Sequence, residues 1–567
     1  MAAVEKVAVI GAGALGLMAT KQLTEDGFDV TGFEARPYLG GLWKDTDDSS
    51  ISVHPTTIFN TSKYRAATSD FPFPESAGVY PTAAQIHAYL NAYADHFDLR
   101  RKIRVGHRVR HIVRREREEG GESAGGIWEI KVKDVQSGQE TTNFFDRVCV
   151  ATGSFITPRW PKLAGLDKFA GSVHHSIDFH GSAPFKDHNV LVLGIHATAQ
   201  DVTNALSETA KQVYLSHRHG LTLLPRYNDT GTPFDVALGL PVMLFMIFME
   251  RTLPRFWTWV LDRMVGSISR KSFPAIPEHW GLSPAPSMAV STPLMADTLW
   301  TFLESGFAKP VPAVKEITGP KTVILTDGQV LEDIDSIIYC TGYHFNMPED
   351  LIPRAAEGSL AYDPYPNGPG HNPHLYMNIF PMNDDPQIRT SLAFLGHAAT
   401  NYPGFVQFEL QAMAVSQVWK GRSSLPPRPK MLEWFRNHTS WRQMMAKRHH
   451  VPEAGHTFYP AMIPQAELIP WLDEMAGTGV FDTFGGWFNG LFNPSTWKLW
   501  WQDRELYNLC TKKLLCPAIF RAIDTGKREA LGYEAVKEIL RSQNASLERS
   551  IKAKQEEMAL KDQKKKA

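Results

Sequence analysis

The hydrophobic pattern changes period twice between Lys6 and Glu34. KVAVI is a continuous apolar run. GAGALG follows as a glycine turn, ALGLMATKQL places apolar residues at helical spacing, and FDVTGFE is a second apolar run. A buried strand, a turn, a helix and a second strand make a βαβ unit. NVLVLGIHATAQDV, from Asn189 to Val202, begins in the same way and has VYLSHRHG, from Val213 to Gly220, as its following strand. Two further apolar runs end in Thr-Gly, VCVATGSFITP (Val148 to Pro158) and IIYCTGYHF (Ile337 to Phe345), and their likeness predicts one sheet assembled in pieces. FVQFELQAMAVSQVW reads as a helix, and an aromatic-rich region containing Trp471, Trp487, Trp497, Trp500 and Trp501 runs to about Thr525. The charged end, RSQNASLERSIKAKQEEMALKDQKKKA, is poor in apolar residues and fits either a solvated helix or a disordered tail.

The first βαβ unit carries a dinucleotide fingerprint. Gly11 makes the tight turn, Gly13 lets backbone approach a pyrophosphate, Gly16 lets the helix pack closely on the strand, and Glu34 stands where an acid accepts a bond from the ribose hydroxyl. The second unit supplies Gly194, then His196 where the second glycine belongs, then Ala199. A Cβ at position 196 should disfavour a close backbone approach and any positive φ, while an imidazole could donate a hydrogen bond to phosphate instead.

Composition narrows the function. With 59 Lys+Arg against 60 Asp+Glu the net charge is -1, which provides no global field for nucleic acid. Cys149, Cys340, Cys510 and Cys516 have no zinc or C-x-x-C spacing, so reduced thiols in an intracellular protein are expected. The first strand starts too near Met1 to leave room for a signal core, and a cytoplasmic location is expected. VALGLPVMLFMIFM, from Val236 to Met249, falls short of the roughly 20 apolar residues of a spanning helix and contains Pro241. Together with ERTLPRFWTWVLDRMVG it makes an apolar 236–265 segment that could lie in a membrane interface, roof a substrate tunnel, or form a buried helical pair. His449-His450 lacks partner spacing and no G-x-S-x-G elbow follows a strand, so neither a metal nor a serine nucleophile is expected.

FAGSVHHSIDF presents Phe169, Gly171, His175 and Phe179 as F-x-G-x-x-x-H-x-x-x-F between the first Thr-Gly turn and the second nucleotide fold. With GGLW (Gly40 to Trp43), FNTSK and SDFPFP (Phe59 to Pro74), WGLSP, CTGY and FELQ, the chain from about Val7 to about Arg528 resembles the flavin-containing monooxygenase family, the N/S-oxygenating type of class B flavoprotein monooxygenases. The resemblance implies an α/β fold of two Rossmann-like domains, the NADPH domain inserted into the FAD domain. It divides the chain into FAD domain 1–183 and 326–440, NADPH domain 184–325 with a helical insert at about 225–290, an aromatic-rich region 441–540 and a charged tail 541–567. It also implies the reaction: NADPH reduces FAD, and a C4a-hydroperoxyflavin hands one oxygen of O2 to a nitrogen or sulfur of a small lipophilic substrate. On that analogy Gly11, Gly13, Gly16, Glu34, Leu42, Trp43, Asn60 and Thr61 serve FAD, with Asn60 at the reactive edge as the catalytic amide. His175 is a further cofactor-binding residue, and Gly194, Thr198, Ala199, Gln200 and Asp201 serve NADPH, whose 2′-phosphate falls to Ser216 and Arg218. Two alternatives remain: oxygenation of a ketone, which Phe179 in place of the tryptophan of the dedicated Baeyer–Villiger type disfavours, and a flavin-binding protein without turnover, which His196 suggests.

Overall fold

KVAVI forms the central strand of a five-stranded parallel sheet ordered Leu392–Phe394, Arg147–Val150, Lys6–Ile10, Asp29–Phe33, Ile103–Arg104. Val7, Ala8 and Val9 are fully buried because both faces of the sheet are covered, which is why this strand reads as an unbroken apolar run. The helices Ala14–Glu25 and Gly404–Trp419 pack together on one side. An antiparallel meander, His107–Arg114, Trp128–Asp134 and Glu140–Phe145, closes the other with Ile112, Trp128 and Ile130. This computed structural model describes residues 4–46, 51–115, 128–274, 276–345, 351–352, 373–451, 459–486, 490 and 492–566; Trp487 of the aromatic-rich region lies outside them.

A second parallel sheet runs Ala308–Val311, Gln212–Ser216, Asn189–Leu193, Ser336–Tyr339, Ser172–His175. This corrects the expectation that both Thr-Gly runs serve one sheet: Arg147–Val150 belongs to the first sheet and Ser336–Tyr339 to the second. The two runs look alike because each is buried on both faces, and nothing local specifies which distant strand a parallel strand will pair with. The sheet of the second unit therefore takes strands from outside the 184–325 limits on both sides. It too carries a three-stranded antiparallel cover, Val314–Gly319, Thr322–Leu325 and Val330–Leu331.

The insert folds as two helices, Leu240–Thr252 and Pro254–Ser272, seated on the first unit: Asp235 accepts from the Ser62 amide at 2.8 Å, and Arg65 donates to the Leu238 carbonyl at 2.8 Å. No described helix is long and apolar enough to cross a membrane. The charged end takes the helical alternative. Tyr533–Lys566 is one helix, tied to the first unit by Ser550 against the Tyr64 hydroxyl (2.7 Å) and Arg549 on Glu75 (2.8 Å), and to the insert by Gln555 on the Thr230 carbonyl (2.9 Å).

A buried ionic knot fastens the far end of the Ala14–Glu25 helix. Arg521 donates to both Glu25 oxygens at 2.9 Å and Arg528 to Asp26 at 2.6 Å, Lys21 pairs with Asp70, and Glu409 accepts from the Ser69 amide and hydroxyl at 2.7 Å. Burial drives the Glu25 carboxyl upward, yet its bonds to Arg521 and Lys21 overcome this and hold it at about 2, whereas burial and the Asp70 charge raise Glu409.

Candidate functional site: two nests that meet across a gap

In the first nest the chain leaves the central strand through Gly11 at φ 100°, with the Gly11 amide donating to the Phe33 carbonyl at 2.8 Å. A methyl on Gly11 would lie 2.7 Å from the Ala151 carbonyl oxygen, so glycine is required there twice over, by conformation and by space. Gly13 has φ −71° and ψ −169°, an extended conformation open to any residue, and a methyl there would make an ordinary contact with the Gly41 Cα at 3.6 Å. The Ala14–Glu25 helix begins with no side-chain cap and no acid in its first turn, leaving its N–H groups to a ligand phosphate. Glu34 accepts from the Ala12 amide at 2.8 Å and the Arg36 amide at 2.9 Å, which orients the carboxylate at the rim. A dinucleotide pyrophosphate fits this cradle, whose turn a Cβ on Gly11 would disrupt.

The second nest repeats the construction. Gly194 has φ 125°, donates to the Ser216 carbonyl at 2.8 Å, and would bring a methyl within 2.5 Å of the Cys340 carbonyl oxygen. The Ala197–Leu206 helix is likewise uncapped by any side chain and free of acids in its first turn. His196 answers the question raised by its missing glycine: φ −89° and ψ −166° nearly match Gly13, so the backbone is unstrained. The expected phosphate donor is corrected, because Nε2 reaches the Thr292 carbonyl at 3.1 Å, which spends the ring's proton there. Crowding within the cleft lowers the pKa of His196 despite that bond, and the remaining nitrogen is an acceptor.

The nests meet. Thr57, on the loop leading to Asn60, donates its hydroxyl to Asp201 on the second nest's helix at 2.8 Å, and the His54 and Phe179 rings touch at 5.8 Å. Burial raises Asp201 to about 6 against the pull of Thr57 and Arg226.

Residues 4–454 match the family model described as FMO-like, flavin-binding monooxygenase-like. The chain belongs to this family. It is a flavin-dependent monooxygenase. Among similar proteins, the monooxygenase aurF of Gibberella zeae is 32% identical, covering 92% of this chain and 95% of the relative. The N-oxide-forming dimethylaniline monooxygenase 2 of Rattus norvegicus is 30% identical over 76% of each. The solved S-allyl-L-cysteine S-oxygenase of Allium sativum shares the fold with a TM-score of 0.56 at 19% identity, covering 96% of this chain and 99% of that one. A closed cyclohexanone monooxygenase does so at 0.58 and 17%, covering 84% and 98%.

In this flavin monooxygenase Asn60 is exposed, beside Thr61 and next to Phe59, whose ring lies 5.3 Å from Trp43 and 5.5 Å from Phe405. Leu42 and Trp43 follow the Gly40-Gly41 pair, so all of these collect around the first nest. Four other expectations shift. His175 is fully buried and commits both ring nitrogens to backbone, Nε2 to the Gly342 carbonyl at 3.2 Å and Nδ1 to the Ile177 amide at 3.2 Å, so it shapes the crossing between units instead of facing a cofactor. The Ser216 hydroxyl is donated to the Pro312 carbonyl at 3.0 Å. Ala199 is core packing, and Gln200 is 4% exposed with its Oε1 lacking a partner among the described residues. Thr198, in the first turn of the Ala197–Leu206 helix, and Arg218, two residues beyond Ser216, are both exposed. The sequence reading missed Thr57, Gly41 and Thr292; only Gly41, in a Gly-Gly pair, carried a local signal.

Proposed function

We propose that the enzyme uses NADPH, held in the second nest, to place one oxygen atom of O2 on a nitrogen or sulfur of a small lipophilic molecule. The observation that carries this reading is the second nest itself, equivalent to the first in turn, amide bond and uncapped helix, with Arg218 at its mouth. Burial and then the charge of Arg218 lower Arg159, and burial and then Arg159 lower His344, so the mouth is a cationic field suited to a 2′-phosphate. The names of the relatives, an N-oxide-forming enzyme and an S-oxygenase, favour heteroatom chemistry.

Bound FAD supplies the redox and oxygen-activating chemistry. The chain's own residues do the rest. Gly11, Gly13 and the open first turn seat one pyrophosphate, Glu34 orients a ribose, and Gly194 with Thr198 seats the second coenzyme. Asn60 offers an exposed amide that could donate to bound flavin, and the packed rings of Trp43, Phe59 and Phe405 would shield the loop that carries it from water. Anaerobic mixing of flavin-loaded protein with NADPH tests the reading: the flavin absorbance bleaches, and aerobic turnover yields a sulfoxide from a thioether. A lactone from a cyclic ketone with no sulfoxide assigns the ketone chemistry, and absence of bleaching leaves a flavin-binding protein without turnover.

The insert adds peripheral membrane contact to this proposal. Phe245, Leu253, Phe256 and Trp259 are 47–53% exposed beside exposed Arg251 and Arg255, a pairing suited to an anionic lipid interface. Sedimentation with phosphatidylserine vesicles should carry the protein down, and the Phe245→Ser/Phe256→Ser/Trp259→Ser variant should stay in solution; equal behaviour of the two removes the proposal.

A further inference from the structure

We propose that the Thr57–Asp201 hydrogen bond is a clasp that sets the spacing of the two nests beside Asn60, making Asp201 a positioning residue that transmits occupancy of the second nest to the strip carrying Asn60. The inference rests on the reading of the two nests as FAD and NADPH seats and specifies how the second acts on the first.

Three observations carry it. The bond is short and joins different units: Thr57 Oγ1 lies 2.8 Å from Asp201 Oδ2, across 144 positions of sequence. Its two ends are stiff. On one side the Thr57 amide donates to the His54 carbonyl at 2.9 Å, the Thr57 carbonyl accepts from Ala83 at 2.9 Å, and the Phe59 amide donates to Pro81 at 2.8 Å, so residues 57–59 move as part of the first unit. Ala83 starts a helix whose Thr82 and Gln85 form a reciprocal capping box, which fixes that side further. On the other side Asp201 stands on the helix whose first turn forms the second nest, four residues after Ala197 and therefore about one turn deeper. A ligand that draws on the N-terminus of that helix moves Asp201 with it, and the stiff strip from Thr57 to Asn60 has to follow.

The surroundings suit a hydrogen-bonded carboxylate more than a ligand to phosphate. Thr57 is buried, and Arg226 lies in the same field but is held elsewhere, its side chain and amide both directed at Asp297 at 3.3 and 3.0 Å. Cys340, whose carbonyl closes over Gly194, feels the Asp201 charge and is raised by burial and then by that charge, so Asp201 sits between the floor of the second nest and the loop of the first. The expectation that Asp201 touches the nicotinamide coenzyme is thereby replaced by a role one step removed.

Hydrogen–deuterium exchange on FAD-loaded protein with and without NADP+ tests this. In the wild type, NADP+ should slow exchange both at 194–200 and at 56–62. In Thr57→Val, a near-isosteric change, and in Asp201→Ala, the slowing at 194–200 should remain and that at 56–62 should vanish, with FAD content unchanged. Thr57→Ser and Asp201→Asn keep a donor and an acceptor and should restore it. In turnover, Thr57→Val should release at least five times more hydrogen peroxide per NADPH consumed, while the anaerobic rate of flavin bleaching stays within twofold. If NADP+ protects 194–200 but leaves 56–62 unaffected in the wild type, or if Thr57→Val matches the wild type in both readouts, the clasp is overturned alone. No protection at 194–200 in the wild type overturns the NADPH seat and the clasp with it.

Discussion

The two nests answer the same demand with different residues, and the difference separates three requirements that a glycine fingerprint merges. The first position needs a positive φ and space under a neighbouring carbonyl, and both nests keep glycine there. The second needs neither: Gly13 and His196 share an extended backbone, and what differs is the neighbour, the Gly41 backbone in one nest and the Thr292 carbonyl, bonded to the imidazole, in the other. The third sets the distance between helix and turn. A methyl at Gly16 would lie 1.8 Å from the Gly11 carbonyl oxygen, whereas Ala199 carries its methyl into the core of the second unit.

Substitutions can break this comparison in order of severity. Gly11→Ala should give protein purified without flavin, and Gly194→Ala should retain flavin but bind NADP+ at least about tenfold more weakly, since a left-handed residue with a Cβ costs about 1–2 kcal/mol before any clash; flavin absorbance and calorimetric titration with NADP+ check both. Gly16→Ala should cost about 1–3 kcal/mol of stability and most of the flavin, as overpacking does, while Ala199→Gly should cost about 1 kcal/mol and neither coenzyme.

Asp201 has a pH signature. Its folded pKa of about 6 is raised from 3.8, so the stability it lends is complete below the lower value and is lost as pH rises through the upper one. Asp201→Asn removes that loss and should stabilise the protein by up to about 3 kcal/mol above pH 7, with the gain shrinking toward pH 4; melting temperatures at pH 4, 6 and 8 read it. The smallest effect belongs to His196→Gly. Losing the bond to Thr292 costs about 1 kcal/mol, and NADP+ affinity should change by less than about fivefold; a tenfold tightening would show that the imidazole obstructs the seat.

Much of this was legible in the chain because it is local. Gly11, Gly13, Gly16 and Glu34 fall within one βαβ unit, and Gly194 with its strand and helix within another. What escaped is long-range. The partner of the Ser336–Tyr339 strand lies in a different sheet from the one its Thr-Gly ending suggested, because parallel pairing leaves no mark in either strand. Thr292 is 96 residues from His196, and Thr57 and Ser216 found their partners, Asp201 and Pro312, only through the tertiary fold. His175, the centre of the identifying pattern, turned out to serve backbone groups, an outcome that residue type and spacing could not distinguish from cofactor contact.

The ionic knot has an effect on the first nest that its location conceals. The Ala14–Glu25 helix is about 18 Å long, with uncapped N–H groups at one end and Arg521, Arg528, Asp70 and Glu409 gripping the other. Anything that frees the gripped end lets the whole rod tilt, so damage at Arg521 would present itself in a purification as pale, cofactor-poor protein, and surplus FAD, by binding only the upright rod, would restore the yellow colour.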